Sequence, residues 1–321
     1  MNLSASNTTL FLIAYGPPGP LNYGVFFFVF VLYLATIFSN LTLMLVIYLD
    51  STLHKPMYIF LFHLAISGLI GSSTVCPVIL QYLLEDVKSI SLTNCLLQTF
   101  FVNIFGTCAY GILAVMAYDR YVCICKPLQY HSIMTPTKVK LLLGVTYFFP
   151  ICSLAVQVYL TARLSLCTYT INKLFCITLA VVNLACMKPL LNSLYFVGLF
   201  FVFGFLPLVL VILSYIKILT VSIKASKTAQ MKALKTCAPH LITFINFSSA
   251  ALTSVVYNSF YDHLSNVGSI FISVQFILIP SLLHPVIYGI KTQEIRKSIS
   301  KLLRKNVLAL DGVGSTQRTS E

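Results

Sequence analysis

Apolar residues run through this chain in long blocks that no charged side chain interrupts. Seven blocks of more than 20 residues contain no Asp, Glu, Lys or Arg: 1–49, 56–84, 89–118, 141–162, 189–216, 236–261 and 263–290. A membrane-spanning helix needs about 20 mainly apolar residues, and only helices or closed barrels satisfy their own backbone in lipid. Because the blocks are continuously apolar and do not alternate, they predict seven helices.

The predicted fold is an all-α membrane protein, a seven-transmembrane helix bundle with a short amphipathic C-terminal helix. We expect an extracellular tail over 1–22, the bundle over 23–290, and a cytoplasmic helix and tail over 291–321. Composition agrees, because 58% of residues are hydrophobic and 9% are charged, against about 25% charged in soluble domains. One face of the last helix is apolar and the other basic, which is typical of a helix on an anionic membrane surface. The apolar face consists of Ile295, Ile299, Leu302 and Leu303.

The net charge of +13, from 21 Lys and Arg against 8 Asp and Glu, would suit a nucleic-acid-binding protein. The positions of the bases indicate a membrane topology instead. One set of loops carries only four of them, Lys88, Arg163, Lys173 and Lys188, and the other set carries the remaining 17. Cytoplasmic loops carry the excess of Lys and Arg, so the N-terminus is predicted to be extracellular in a multi-pass plasma-membrane protein, with no nucleic-acid partner. Asn2 and Asn7 lie in sequons of that external tail and are candidate glycosylation sites.

Four cysteines fall on the predicted outer side. Cys95 opens the third span, and Cys167, Cys176 and Cys186 share the one long loop. Three pairings are possible in an oxidising space; we predict Cys95–Cys176, which attaches the loop to the bundle, and Cys167–Cys186, which closes the loop on itself. The other six cysteines are expected to be small buried packing residues.

Intramembrane chemistry excludes several classes of protein. The seven blocks contain no Asp, Glu, Lys or Arg, whereas transporters and pumps usually place such groups within their spans. The chain has no His-Glu-x-x-His motif, no Gly-rich phosphate loop and no clustered metal ligands. We therefore predict no enzymatic site, no metal and no cofactor.

Four motifs carry a family resemblance. The third span ends in MAYDRYVCICKPLQY at 116–130, and the other three are LHKPMY at 53–58, KALKTCAPHL at 232–241 and PVIY at 285–288. Together, from about residue 40 to 296, they resemble the odorant (olfactory) receptor family of rhodopsin-like G-protein-coupled receptors. The three-cysteine loop is also similar to that family.

The resemblance implies a receptor that binds a small, neutral odorant and activates a stimulatory, olfactory-type G protein, with membrane lipid as a further partner. The alternative is a non-olfactory rhodopsin-like chemosensory receptor. In such receptors Arg120 is held by Asp119 at rest and released on activation, and Pro207 and Pro285 allow their helices to bend. The implied coupling and activation residues are Asp119, Arg120, Tyr121, Tyr215, His240, Pro285 and Tyr288.

The outer halves of spans three, five and six are expected to hold the ligand. Amine receptors place a carboxylate where Val102 stands, so a cationic amine is disfavoured, and Asn103 and Thr107 are the predicted hydrogen-bonding groups. The predicted pocket residues are Val102, Asn103, Gly106, Thr107, Phe196, Phe200, Phe203, Ala251 and Val255.

The chain departs from the family pattern at four positions. Gly68 and Ala109 stand where carboxylates could hold a sodium ion, so we expect no specific sodium effect. His284 replaces an Asn and is expected to be a hydrogen-bonded packing residue. Ser248 stands where the family tends to have Tyr, which puts the aromatic pivot of the relatives in doubt.

Overall fold

The computed structural model describes residues 8–15, 18–187, 190–260, 266–302 and 304. Within them, seven helices are long and apolar enough to cross a membrane. These helices, numbered spans 1 to 7, are Pro20–Leu49, Pro56–Leu84, Leu92–Cys125, Pro136–Ala162, Leu190–Ile223, Ala233–Tyr257 and Ile270–Lys291. The full helices of the last two are Lys227–Phe260 and Asn266–Lys291. Each span overlaps one charge-free block, which confirms the predicted all-α membrane fold.

Proline and polar caps begin most of these helices. Pro20, Pro56 and Pro136 occupy the first turn of spans 1, 2 and 4, where a missing N–H costs nothing and the fixed φ suits a helix. The hydroxyl of Ser91 accepts from the Asn94 amide at the start of span 3. The hydroxyl of Thr135 does the same for the amide of Lys138 at the start of span 4. These side chains satisfy backbone donors that have no partner within the helix.

Span 3 lies at the centre of the bundle and contacts spans 2, 4, 5 and 6, while span 7 contacts spans 1, 2 and 6. The inner residues of span 3, including Ile112, Leu113 and Met116, have no exposed surface. Large apolar side chains on the outside of the bundle are exposed, as Phe38 is to 75% and Phe148 to 63%. An apolar exterior of this kind suits lipid as the surrounding solvent.

The N-terminal segment adds a small sheet that the sequence pattern did not predict. Strand β1 (Thr9–Leu12) lies between β2 (Ser89–Ser91), which is antiparallel to it, and β3 (Thr170–Ile171), which is parallel. Leu10 and Leu12 are buried. The Tyr15 hydroxyl donates to the Leu174 carbonyl at 2.5 Å. Burial raises the pKa of Tyr15 well above its usual range, so the hydroxyl keeps the proton that this bond needs.

Both predicted disulfides are present, Cys95–Cys176 and Cys167–Cys186. The first joins the start of span 3 to the long loop, and the second closes that loop on itself. The sulfur atoms and the sheet lie at the same end of the bundle, named here the disulfide end. The opposite end, which carries Asp119 and Arg120, is named the Arg120 end. Asn2, Asn7 and Lys188 lie outside the described residues.

Span 5 is interrupted by one π-helical turn over Phe201–Phe205, between the α-helices Leu190–Phe200 and Leu206–Ile223. Pro207 follows that turn and has no N–H for the carbonyl four residues earlier. A π-turn accommodates such a missing bond, so the predicted irregularity at Pro207 is a widened turn on its N-terminal side.

The C-terminal helix, residues 293–302, packs against the end of the bundle, and its predicted position on the membrane surface stays a prediction. Ile295 has no exposed surface and belongs to the main core, with Ile299 and Leu302 packed beside it. The helix bundle therefore covers Ile295 fully and Ile299 and Leu302 in part; Leu303 lies outside the described residues.

One prediction for the free cysteines was wrong. Cys76, Cys108 and Cys237 are buried as expected, and Cys123 and Cys125 are half-buried. Cys152 is exposed on span 4, because it points out of the bundle at a position where lipid would surround it.

Candidate functional site

A cavity of about 280 Å³ lies among spans 3, 4, 5, 6 and 7, under the loop that follows Cys176. All nine predicted pocket residues line it. The face of span 3 that helical spacing selected and the residues chosen from spans 5 and 6 thus line one cavity; their role as a ligand site stays a prediction. The wall is mostly apolar and carries no acidic or basic side chain.

Further lining residues come from elements that the sequence reasoning left out. Span 4 contributes Leu154 and Gln157, span 7 contributes Phe276, and the loop contributes Ile177, Thr178 and Leu179. The remaining ones are Tyr110, Leu199, Gly204, Phe247 and Ser254. The loop residues enter because the Cys95–Cys176 bond fixes the loop over span 3. The position of that cysteine was the available signal for Thr178.

Three polar side chains form a cluster on one wall, named here the polar cluster: Asn103, Gln157 and Thr178. The Asn103 amide nitrogen donates to Thr178 Oγ1 at 2.9 Å and to Gln157 Oε1 at 3.4 Å. In the described chain neither the Gln157 amide nitrogen nor the Thr178 hydroxyl donates a hydrogen bond. Thr107, predicted as the second polar group, donates to the Asn103 carbonyl of its own helix at 2.8 Å. Its proton is therefore committed to the backbone.

Aromatic rings form the floor of the cavity. Phe247 is 1% exposed and meets Tyr110 edge-to-face at 5.0 Å between centroids and Phe105 at 5.8 Å. Its ring also lies 6.1 Å from that of His284. Ser248 carries no ring, but the neighbouring Phe247 supplies an aromatic ring from span 6.

His284 and the two positions without a carboxylate, Gly68 and Ala109, lie just below this floor. His284 is 3% exposed, and its Nε2 finds no hydrogen-bond partner among the described residues, so the expectation of a hydrogen-bonded packing residue fails at that atom. Gly68 packs against Ser281, whose Cβ would lie 3.2 Å from a methyl group added to the glycine. The Asn40 amide donates to the Ser281 carbonyl at 2.9 Å. Close helix packing thus occupies the region where Gly68 replaces a carboxylate.

At the Arg120 end, Asp119 is fully buried and holds three hydrogen bonds. Arg120 donates to Asp119 Oδ2 through Nε at 3.0 Å and through a terminal nitrogen of its guanidinium. The Tyr130 hydroxyl donates to Asp119 Oδ1 at 2.8 Å. Burial and the Asp119 carboxylate raise the pKa of Tyr130, so the phenol remains a donor. The predicted Asp119–Arg120 pair is formed, and Tyr130 is an additional partner.

Tyr215 and His240 form a second connection at this end. His240 Nε2 lies 2.9 Å from the Leu113 carbonyl, and Nδ1 lies 2.6 Å from the Tyr215 hydroxyl. A carbonyl only accepts, so Nε2 carries the proton and Nδ1 accepts from the phenol. This chain of bonds joins spans 3, 5 and 6, each contributing one group.

The other predicted coupling residues are distributed around these contacts. Tyr121 is partly buried against the core, Pro285 is buried within span 7, and Tyr288 has no exposed surface. Tyr288 and Arg120 both line a second cavity, of about 1110 Å³, at the Arg120 end. Its rim is strongly basic, with one acid, Glu294, among its charged lining residues. The bases are Lys55, Arg120, Lys227, Lys235 and Lys291.

Metal and charge chemistry add little elsewhere. In the part of the chain described, no three His, Cys, Asp or Glu side chains are grouped as metal ligands would be. Lys173, on the long loop at the disulfide end, is 9% exposed, and its ammonium lies 4.3 Å from the centre of the Tyr257 ring. Its charge is thus placed against an aromatic face.

Comparisons with known proteins extend over nearly the whole chain. A family model described as olfactory receptor matches residues 28–306. Olfactory receptor 1 of Rattus norvegicus is 33% identical over 304 residues, covering 94% of this chain and 96% of that protein. Olfactory receptor 56A4 of Homo sapiens is 36% identical over 278 residues, covering 85% and 88%. Squid rhodopsin is similar in fold, with a TM-score of 0.70 at 16% identity, over 88% of this chain and 81% of that one.

Proposed function

The chain belongs to the olfactory receptor family of G-protein-coupled receptors, and on that premise we propose that it binds a small neutral odorant in the 280 Å³ cavity and activates a stimulatory G protein. Members of this family are multi-pass membrane receptors and are not enzymes. The observation that carries the proposal is the uncharged cavity in contact, through Phe247, with the bundle core.

The volume limits the size of the ligand. A cavity holds one water when about 10–15 Å³ is open to it, so about 280 Å³ has room for a small organic ligand. With apolar walls, affinity comes mainly from burial of apolar surface, at about 25 cal/mol per Å². Binding is therefore modest and tolerant of analogues.

The polar cluster sets the chemistry of the ligand's polar end. The Gln157 amide and the Thr178 hydroxyl have protons to donate, so they suit an oxygen acceptor such as a carbonyl, ester or alcohol. A cationic amine would find no carboxylate on the cavity wall, and burying its charge unpaired is costly. A neutral oxygenated molecule is the class that fits.

The response passes from the cavity floor to the Arg120 end. A ligand that binds one arrangement of Phe247 and the neighbouring rings more tightly shifts the population towards it. Separation of the helices at the Arg120 end would break the Tyr215–His240–Leu113 chain and free Arg120 from Asp119. The basic rim of the larger cavity then suits an acidic segment of a G protein.

The proposed orientation places the disulfide end outside the cell and the Arg120 end in the cytoplasm. Two disulfides at one end support it, because such bonds persist in oxidising compartments, and so does the excess of bases at the other. We include glycosylation of Asn2 and Asn7 in the proposal. An epitope tag at the N-terminus should bind antibody on intact cells, and endoglycosidase should shift the mass of the wild-type chain but not of the Asn2→Gln/Asn7→Gln variant. A tag detected only after permeabilisation would contradict this orientation.

Function is tested by a cyclic AMP screen of chemically diverse volatile molecules in transfected cells. With an agonist found, Arg120→Ala should abolish the rise in cyclic AMP while surface delivery persists. Lys126→Ala is the matched control, since it removes an exposed base at the same end without touching Asp119. Unchanged signalling by Arg120→Ala would refute the coupling mechanism, and a fall in cyclic AMP would contradict the stimulatory subtype.

The cavity is tested by filling it. A Cβ added at Gly106 meets no atom within 4 Å, and Gly106 lines the cavity, so Gly106→Val should lower agonist potency or favour smaller agonists. Gly144→Val adds the same side chain in equally open space outside the cavity and should leave potency unchanged. Equal potencies for the two variants would exclude this cavity as the ligand site.

A further inference from the structure

The C-terminal helix is attached to the turn after span 1 by one buried polar contact. The Ser298 hydroxyl donates to Asp50 Oδ2 at 2.7 Å, across 248 positions of sequence. Both residues are buried, Ser298 to 4% and Asp50 to 7% exposure. A hydrogen bond from a hydroxyl to a carboxylate is stronger than one between two neutral groups, so this contact fixes the position at which the helix docks.

Asp50 is held in place for this role from its other side. Thr52 donates to Asp50 Oδ1 through its amide at 3.1 Å and through its hydroxyl at 2.8 Å. Ser298, and then these Thr52 bonds, lower the pKa of Asp50 to about 2. The carboxylate is therefore charged at any cellular pH, and it faces the serine as a fixed negative group.

The two serines of this helix differ sharply in environment. Ser298 follows Arg296 and Lys297, both exposed, and Ser300 lies two residues on and is exposed itself. Kinases that select basic residues before a serine would find the sequence suitable, but only Ser298 lies against a carboxylate. The apolar residues Ile295 and Ile299 pack beside it.

We propose that Ser298 is a phosphorylation site that acts as a latch: the kinase modifies it only when the helix is undocked, and the phosphate then prevents docking against Asp50. In the reaction Ser298 Oγ forms a bond to the γ-phosphorus of ATP, the bond from that phosphorus to the β–γ bridging oxygen breaks, ADP leaves, and the hydroxyl proton passes to the kinase. The proposal rests on the cytoplasmic placement of the Arg120 end, where ATP is available.

Charge explains why redocking fails. The phosphate carries about −1.5 to −2 charges at neutral pH, and redocking would bury it beside the ionised Asp50. Among the described residues no cation lies within ion-pair distance of Asp50, and Lys301 acts on that carboxylate only from farther away. Like charges in a buried site are strongly unfavourable. The helix would leave the bundle and lie on the membrane, as its basic face allows.

Undocking also changes the coupling surface. Lys291, Thr292, Gln293 and Glu294 line the 1110 Å³ cavity, and they run from the last residue of span 7 into the first turn of this helix. A phosphorylated receptor therefore presents an altered rim, and G-protein activation should fall.

Docking is measured as a distance between spin-labelled unnatural amino acids at Ser51 and Arg304, both exposed, in receptor reconstituted in nanodiscs. Ser298→Asp should raise the ratio of undocked to docked distances about 10- to 100-fold, the effect expected for one hydrogen bond to a charged group. Ser300→Asp, which adds the same charge to an exposed site, should leave the ratio within about twofold of wild type, as expected for a surface substitution.

A charge rescue separates electrostatics from packing. Asp50→Asn keeps the cap on Thr52 and can donate to a carboxylate, so combining it with Ser298→Asp should restore docking. If the double variant stays undocked, or if Ser298→Asp docks as well as Ser300→Asp, the latch is overturned. Because no ligand or G protein is involved, these outcomes are independent of the proposed receptor function.

The modification itself is tested with a base-directed kinase and ATP on the same preparations, with phosphorylation of Ser298 and Ser300 compared by mass spectrometry. Asp50→Ala should raise the ratio of Ser298 to Ser300 phosphorylation at least tenfold over wild type, on the same estimate. An unchanged ratio, or no phosphate at Ser298 in the undocked variant, would overturn the modification site.

Discussion

Gly71 in span 2 is the glycine at which an added methyl group should most disturb the packing of the cavity floor. A Cβ added there would lie 2.5, 2.7 and 2.9 Å from three ring atoms of Phe105. Ordinary van der Waals contacts begin at 3.4 Å. Because the interior is close-packed, the Phe105 ring must therefore move by about 1 Å, the difference between 3.4 Å and the shortest of these distances. Phe105 is 1% exposed and its ring meets those of Phe247 and Phe276, each at 5.8 Å between centroids, so a shift of this ring disturbs two aromatic contacts.

The cost can be compared with the gain from replacing glycine. Overpacking costs about 1–3 kcal/mol, and a disturbed aromatic pair adds about 0.5–1.5 kcal/mol. Alanine in a helix interior regains up to about 1 kcal/mol over glycine. Gly144 in span 4 offers the matched control, because an added Cβ there meets nothing within 4 Å. The difference between the two variants isolates the clash, at about 2 kcal/mol.

The assay is thermal unfolding of purified receptor in nanodiscs without ligand. Gly71→Ala should melt about 4–8 °C below Gly144→Ala, since 1 kcal/mol corresponds to about 2–4 °C for chains somewhat shorter than this one. Phe105→Leu should relieve the clash, so the double variant should lose less than the sum of the single losses, with a coupling of about 0.5–3 kcal/mol. If Gly71→Ala melts with Gly144→Ala, or if the two changes are additive, the packing argument is wrong.

Three further predictions follow from other parts of the molecule. Removing the Cys95–Cys176 disulfide should lower thermal stability more than removing Cys167–Cys186, because the two bonds close loops of 81 and 19 residues. Loop closure of these lengths contributes about 4.5 kcal/mol for the first bond and about 3 kcal/mol for the second. An equal loss of stability would contradict this explanation by loop entropy. Sodium should have no specific effect on agonist affinity, because Gly68 and Ala109 supply no carboxylate; a sodium-selective change, absent with choline, would refute this. The Ser298–Asp50 contact lowers the pKa of the Asp50 carboxyl to about 2. Its stabilisation of the docked helix is therefore fully present above the usual pKa of 3.8 and is lost only as pH falls through about 2. The Ser51–Arg304 distance should stay constant from about pH 5 to 8, and a change of that distance within this range would disprove the role of Asp50 in docking.

The spans and their faces were predictable because lipid imposes a simple rule. Every apolar block long enough to cross a bilayer had to be a helix, so seven charge-free blocks predicted seven helices. The helical period then placed Val102, Asn103 and Gly106 on one face of span 3, and all three line the cavity. The Asp119–Arg120 pair also followed from adjacent residues in one motif.

Contacts between distant segments were not predictable in this way. The roof of the cavity, where Thr178 is hydrogen-bonded to Asn103, depends on a loop whose path is set by a disulfide between two cysteines 81 positions apart in the sequence. The N-terminal strand β1 is four residues long, too short for its alternation to be distinguished from a loop. Periodicity reports which residues share a face, but it carries no information about which face meets which.

The sequence by itself thus determined the membrane class, the seven helices, the inward faces of spans 3, 5 and 6 and the family, because these depend on local hydrophobicity and on contiguous motifs. The tertiary structure alone decided that Gln157 and Thr178 complete the polar cluster, that Tyr130 is a third partner of the Asp119–Arg120 pair, and that the C-terminal helix docks on Asp50. Each of these is a directional contact between segments far apart in the chain, and its geometry exists only once the helices have packed.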